Sequence, residues 1–310
     1  MHAVAAHRVR LFLVDAFTSE LFAGNPAGVV LDAEGLEDRD LQLIAREFGG
    51  VDTAFVLPPD AADHDLRLRF FTPRAETGFV GHATVAAQAV RHALGLPACR
   101  RQKQRTGIVE IGSSDGAPGP RYAFAQAPPP VQETLQGERL RALTNALGLA
   151  TGDLDPDCPA VIAGAGGSRA LLAVRDGTIL ARLQPDPMRL RALSAAGHPP
   201  GYFVYTLAPA VPNCETEARM FCPAIGIPED PVSGNAHAML AMHLHALRRL
   251  PERPGQRGFT GRQGHHLGRP GVLQVEILLE AGAPRSVRVS GCATIVFAAT
   301  LDLPERALRP

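Results

Sequence analysis

Three titratable side chains stand where an acid/base site could be built. Asp52 lies in Gly49-Gly50-Val51-Asp52-Thr53-Ala54-Phe55, His82 follows Gly81, and Asp230 lies in Pro228-Glu229-Asp230-Pro231. A carboxyl group flanked by Val51, Ala54 and Phe55 can be desolvated, which raises its pKa toward neutrality and suits it to general-base work. Taken singly, each residue also has a plainer role. Asp52 and His82 could cap or pack, and Asp230 could be a turn residue before a proline. A repeated segment makes them a set. The first copy runs Phe71-Thr72-Pro73, a short linker, then Gly81-His82-Ala83-Thr84-Val85. The second runs Phe221-Cys222-Pro223, a linker holding Glu229 and Asp230, then Gly234-Asn235-Ala236-His237-Ala238. Each reads as a strand ending in Pro, a turn, a Gly and an Ala-rich helix. A helix start leaves backbone N–H groups unpaired at the positive end of its dipole, so two of them make a carboxylate trap. The repeat implies a duplicated fold with a site between its halves, and it sets His82 and Asp230 at matching places in the two copies.

The surrounding elements must position these groups. Alternation and β-branched content predict strands at Val9–Phe17, Thr53–Leu57, Leu66–Thr72 and Gly107–Ile111, with Gly24–Gly28 a turn before a strand at Val29–Leu31. Apolar spacing predicts helices over Asp38–Phe48 and His82–Leu94, the latter buried on most sides. The Pro-rich stretch Ala127–Val131 reads as a linker. The order then recurs, with helices at Glu138–Leu147, Met188–Ala196 and Asn235–Arg248. Strands are expected at Ala160–Ala163, Ala170–Val174, Gly201–Leu207, Glu217–Cys222, Gly271–Leu279 and Ser286–Ala299. This is an α+β pattern of two halves, each with one apolar helix that strands can wrap, and it is not regularly βαβ. The halves are placed at 1–128 and 129–291, the first completed by a C-terminal strand within 292–310.

Composition narrows the function. Hydrophobic content of 45%, charged content of 20% and zero formal net charge are those of a soluble globular protein with no polyanionic partner implied. The single basic run, Arg100–Arg105, lacks interleaved aromatics and reads as a solvated loop rather than a nucleic-acid contact. Five widely spaced cysteines without Cys-x-x-Cys argue against a disulfide framework or zinc site and fit a reducing cytoplasm. Met1–Arg10 lacks the apolar core of a signal peptide, and no apolar stretch is long enough to span a membrane. Gly164-Ala165-Gly166-Gly167 lacks the Gly-Lys-Ser/Thr ending of a phosphate loop and reads as a hairpin turn. His237, His243 and His245 miss the i, i+4 spacing with an intervening Glu of a zinc helix, so no metal is expected there. No Gly-x-Ser-x-Gly elbow supports a hydrolase nucleophile.

A longer series of motifs is more specific. Asn25-Pro26-Ala27, Asp52-Thr53-Ala54-Phe55, Arg69-Phe70-Phe71-Thr72-Pro73 with Gly81-His82-Ala83-Thr84, and Glu229-Asp230-Pro231-Val232-Ser233-Gly234-Asn235-Ala236 follow one another. Gln263-Gly264, Gly268-Arg269-Pro270 and Val287-Arg288-Val289-Ser290-Gly291 complete the order. The series resembles the phenazine-biosynthesis PhzF-like isomerase/epimerase family over nearly the whole chain. That resemblance implies a diaminopimelate epimerase-like fold, two pseudo-symmetric lobes each with a sheet curled around a central helix and the site in the cleft. It also implies a homodimer and no cofactor. The family's strand start reads Ser-Glu-Thr-x-Phe with Glu as catalytic acid/base, so Asp52 keeps the carboxylate but shortens its reach by about 1.5 Å, one C–C bond. By the same resemblance His82 and Asp230 hold polar groups of the substrate, while Gly81, Ala83, Ser233, Gly234 and Asn235 line the helix starts that receive its carboxylate. The related epimerases carry a Cys before each helix. Here Val80 and Val232-Ser233 stand instead, which disfavours a two-thiol racemase.

The expected reaction is a hydrogen shift without redox. Asp52 removes an acidified proton and returns it elsewhere on the same conjugated system of a small unsaturated amino-acid-like carboxylate, cyclic ones included, from specialised metabolism. Two rivals remain: a cofactor-free epimerase or racemase at an amino-acid α carbon, and a non-catalytic small-molecule binder with a weakened base.

Overall fold

The computed structural model describes residues 7–164, 167–253 and 256–303. These form two compact units, one taking the residues up to Ala125 and those from Ser290 onward, the other taking Gln126–Val289. In chain order the first contains β1 (His7–Ala16), β2 (Asn25–Leu31), α1 (Asp38–Glu47), β3 (Asp52–Leu57), β4 (Leu66–Phe71), β5 (Glu76–Thr77), α2 (Gly81–Ala93), β6 (Arg101–Gln104) and β7 (Gly107–Ser114), with β8 (Arg121–Gln126) at its boundary. The second contains β9 (Val131–Thr134), α3 (Gly137–Leu147), β10 (Val161–Ala163), β11 (Arg169–Ala173), α4 (Gly177–Ala181), α5 (Pro187–Ala195) and β12 (Tyr202–Thr206). It continues with β13 (Thr216–Cys222), β14 (Ile227–Asp230), α6 (Gly234–Ala246), β15 (Glu252–Arg253), β16 (Gln256–Gln263) and β17 (Gly271–Glu280). β18 (Ala283–Gly291) follows, and β19 (Ala293–Leu303) pairs antiparallel with β1 in the first unit.

Each unit has the same ladder pattern. In the first, β1–β2 is antiparallel, β2–β3 parallel, β3–β4 antiparallel, β4–β6 parallel and β6–β7 antiparallel. In the second, β10–β11, β11–β12, β12–β13, β13–β16 and β16–β17 repeat that alternation. Register turns the likeness into residue equivalences. Thr53 faces Phe71 where Tyr202 faces Phe221, so Asp52, one residue earlier, corresponds to Gly201. Phe70 faces Thr77 where Met220 faces Asp230. The counterpart of Asp230 is therefore Thr77, and that of His82 is Asn235. This corrects the expectation that His82 and Asp230 occupy matching places. The linkers differ in length only before Glu76 and Glu229, and the equal spacing from there to Gly81 and Gly234 agrees with the strand register.

Each unit buries its Ala-rich helix. Ala83, Ala86, Ala87 and Val90 of α2 join Phe12, Val14, Val29, Leu68 and Phe70 in one core. Small residues let the helix sit close to the strands, and each large apolar side chain buried there contributes about 1.5–3 kcal/mol. α6 buries Ala236, Ala238, Met239, Leu240, Ala241 and Leu244. A further core in the second unit gathers Leu143 and Leu147 of α3, Leu190 of α5, and Leu172, Tyr202 and Phe221 from the strands.

Several local expectations need correction. Arg101–Gln104 is a strand, not a solvated loop. Gln102 and Gln104 turn inward, with Gln102 Nε2 donating to Gln104 Oε1 at 3.0 Å and to Thr84 Oγ1 at 3.3 Å, so polar residues fill the inner face. Asn25–Gly28 belongs to β2 rather than to a turn. Pro26 is tolerated because it sits outside the stretch paired to β3, which begins at Ala27. Ser286–Ala299 is two strands broken at Cys292. α4 and β16 had no strong periodic signal. At the Gly-rich segment β10 and β11 pair antiparallel, Ala163 with Arg169. Ala165 and Gly166 of that turn lie outside the described residues, as do Met1–Ala6 of the expected non-signal segment and residues 304–310 of the expected closing segment. Among the described residues no helix is long and apolar enough to cross a membrane, and all five cysteines are free thiols.

Candidate active site

In the first unit the turn after α1 holds Gly49 and Gly50, both at positive φ (72° and 113°), which only glycine adopts without strain. That turn delivers Asp52 as the first residue of β3. Its side chain is mostly buried, and burial alone pushes its pKa up from 3.8 to about 6. His82 stands in the first turn of α2, with Nε2 at 3.8 Å from Asp52 Oδ2. That is beyond a hydrogen bond yet close enough for charge coupling or transfer through one intervening atom. The helix start is held by Phe124, buried at 0% exposure against Phe79. A Cβ on Gly81 would come within 2.7 Å of the Phe124 ring, so glycine is required there. Val80 supplies no side-chain cap for this first turn.

The second unit builds its helix start differently. Ser233 caps α6, its Oγ accepting from Ala236 N at 3.3 Å. Gln263 on β16 braces the loop before it, accepting from Ser233 N at 3.1 Å and donating to the Asp230 carbonyl at 2.6 Å. Asn235 Oδ1 accepts from Gln126 Nε2 at 3.2 Å. Asp230 closes β14, half-buried. His237 Nδ1 donates to the Ser233 carbonyl at 2.8 Å, and full burial pushes its pKa down to about 4, so it is a neutral structural imidazole. His243 is likewise pushed down by burial.

The structure therefore brings Asp52, His82, Gly81 and Ala83 together in one unit, and Asp230, Ser233, Gly234 and Asn235 together in the other. Gln263 was not singled out from sequence beyond its place in a motif. A buried amide whose two ends bond main chain on both sides of a turn leaves no signal except the neighbouring Gly264. Neither unit places a thiol at a helix start. Cys222, near Asp230, is pushed up to about 12 by burial, which makes it a poor thiolate.

Comparison with known proteins gives a consistent result. The sequence pattern of the family described as phenazine biosynthesis-like protein matches residues 14–299. The chain is 39% identical over 290 residues to an uncharacterized isomerase, YddE, of Escherichia coli O157:H7, covering 93% of this chain and 96% of that one. A Bacillus anthracis phenazine biosynthesis protein of the PhzF family superposes with a TM-score of 0.82 at 25% identity, covering 95% of this chain and 99% of that one. A hydroxyproline epimerase from Agrobacterium vitis, with bound trans-4-hydroxy-L-proline, superposes with a TM-score of 0.61 at 12% identity, covering 97% and 95%, which establishes the shared α+β fold alone.

Proposed function

The chain belongs to the phenazine biosynthesis-like, PhzF-type family of isomerases and epimerases, and on that premise we propose that it moves a proton within a small unsaturated amino-acid-like carboxylate by Asp52 acid/base chemistry. The observation that carries this reading is the desolvated Asp52 carboxyl, raised to about 6, with His82 at 3.8 Å. A base with a pKa near the working pH is ionised enough to take a proton and basic enough to hold it. Asp52 abstracts the proton from an allylic or α carbon, and the electron pair delocalises into the conjugated system. The proton then returns at another position, from Asp52 or through His82. The first-turn N–H groups at Gly81, His82 and Ala83 suit a substrate carboxylate or developing oxyanion, since donors fixed in place need little reorganisation. Asp230, Ser233, Gly234 and Asn235 are assigned to binding the substrate's remaining polar groups. No cofactor is assigned, the chain acts as a cytoplasmic homodimer, and the substrate comes from specialised metabolism.

The register argument favours isomerisation over two-base racemisation. The position equivalent to Asp52 is Gly201, where a Cβ would come within 2.3 Å of Arg169 Cδ. The second unit thus carries a glycine packed against Arg169 at that position, and no carboxylate. Incubating unsaturated amino acids in D2O with wild type and Asp52→Ala tests the reading. Wild type is expected to incorporate deuterium and move the double bond. Equal incorporation by Asp52→Ala removes Asp52 as the base. Inverted configuration with an unmoved double bond selects the epimerase, and binding without exchange selects the non-catalytic binder.

A further inference from the structure

A second cluster of chemistry-bearing groups lies in the second unit, on residues the proposed reaction does not use. Glu217 of β13 is buried, 1% exposed. Its Oε2 accepts from the Ala210 N–H at 3.0 Å, and its Oε1 lies 2.7 Å from His265 Nε2. His265 and His266 open a single 3-10 turn, His265–Leu267, that follows β16. Their rings lie 3.8 Å apart between centroids, tilted by 45°. One donor atom from each of Glu217, His265 and His266 falls within 4.8 Å of the others. His265 Nδ1 and His266 Nε2 are buried side-chain atoms with no hydrogen-bond partner.

We propose that Glu217, His265 and His266 form a binding site for a divalent transition ion of the zinc class. Two imidazoles and one carboxylate are the donor set of open zinc sites, with a fourth position left for water. Bonds of about 2.0–2.2 Å to a tetrahedral ion need donors about 3.3–3.6 Å apart, so Glu217 Oε1 and His265 Nε2, now 2.7 Å apart, must part slightly while His266 moves in by at most about 1.5 Å. Gly264 and Gly268 flank the turn at φ 90° and 67°. The Ala210 N–H already orients the carboxylate through its far oxygen, as a supporting contact does in metal sites. Arg219 is paired to Glu229. Two nitrogen donors favour zinc, cobalt or nickel over magnesium or calcium. The ion would tie the turn after β16 to β13, next to Gln263 and its brace on the Asp230–Ser233 loop.

Calorimetric titration of the full chain with ZnCl2, paired with Co2+ absorption spectra, tests the site. One ion per chain at micromolar affinity or tighter is expected, with a Co2+ d–d band free of sulfur-to-cobalt charge transfer. His266→Asn and His265→Asn should each weaken binding by about tenfold or more. Binding weaker than millimolar, a thiolate band, or unchanged affinity in either variant overturns the proposal. Should the variants fail to fold, the wild-type Co2+ spectrum decides by itself. Deuterium exchange by Asp52 is a separate readout, so either reading can fail without the other.

Discussion

The two units repeat one ladder but differ at the three positions where chemistry would be expected. At the helix start, the first unit places Val80, which offers no side-chain cap, and the second places Ser233, which caps α6 itself. At the start of the third strand of the ladder, the first unit carries Asp52 and the second carries Gly201. On the strand that pairs with it, small Ala27 faces Asp52, whereas Arg169 fills the space beside Gly201. A shared device survives in both. Arg69 forks onto Glu76 and lies over Phe71 in the first unit, and Arg219 forks onto Glu229 and lies over Phe221 in the second. The Arg–Glu framework contact is thus present in both units, while the proposed base Asp52 has no carboxylate counterpart in the second.

The sharpest break is to remove the unique base. Asp52→Asn is expected to lower deuterium exchange by about 10²–10⁴-fold, the range for loss of a positioned general base. Asp52→Glu keeps the carboxylate but displaces it, so exchange falls by at most about 100-fold. In wild type, kcat/KM in the direction where Asp52 acts as base should rise with pH and level off above about 6. A profile flat from pH 5 to 8 would contradict the assignment.

The duplicated ion pairs come next. The side chains of Arg219 and Glu229 are 10% and 11% exposed, against 27% and 26% for Arg69 and Glu76. Arg219→Met strands a buried carboxylate and should cost about 3–5 kcal/mol in denaturant unfolding. Arg69→Met should cost about 1 kcal/mol, because solvent screens its pair. Equal losses would show that the units treat the motif alike.

Asp52 also carries a stability cost that its counterpart Gly201 does not. The folded state holds the Asp52 proton more tightly than the unfolded chain, so the charged form destabilises the fold, fully above about pH 6 and not below about pH 4. Asp52→Asn should therefore stabilise by up to about 3 kcal/mol at pH 7, taking 1.36 kcal/mol per pH unit, and the gain should vanish near pH 4. The smallest effect belongs to the caps. Ser233→Ala should cost about 1 kcal/mol, measured as a lowered Tm, whereas Val80→Ala removes no cap and acts only through lost packing.

Much of this was legible in the residues. The Gly-led, Ala-rich runs at Gly81 and Gly234 announced two buried helices, and both run for 13 residues. The apolar neighbours of Asp52 pointed to a raised carboxyl pKa, because desolvation depends on local sequence when a strand starts inside a core. Arg101–Gln104 was misread since its inward residues are glutamines, whose mutual hydrogen bonds no hydrophobic period reveals. Glu217 and the pair His265-His266 were not connected, because nearly fifty residues of chain separate them.

Sequence by itself determined the inventory: the duplicated helix starts, a carboxylate with apolar neighbours, and an absence of thiols at the caps. These follow from side-chain type and spacing, which act within a few residues. Tertiary structure alone decided that Asp52 corresponds to Gly201, because strand register pairs Thr53 with Phe71 and Tyr202 with Phe221. It also decided the 3.8 Å approach of His82 to Asp52 and the gathering of Glu217 with His265 and His266. Those distances depend on how strands align over tens of residues, and composition and periodicity do not encode that alignment.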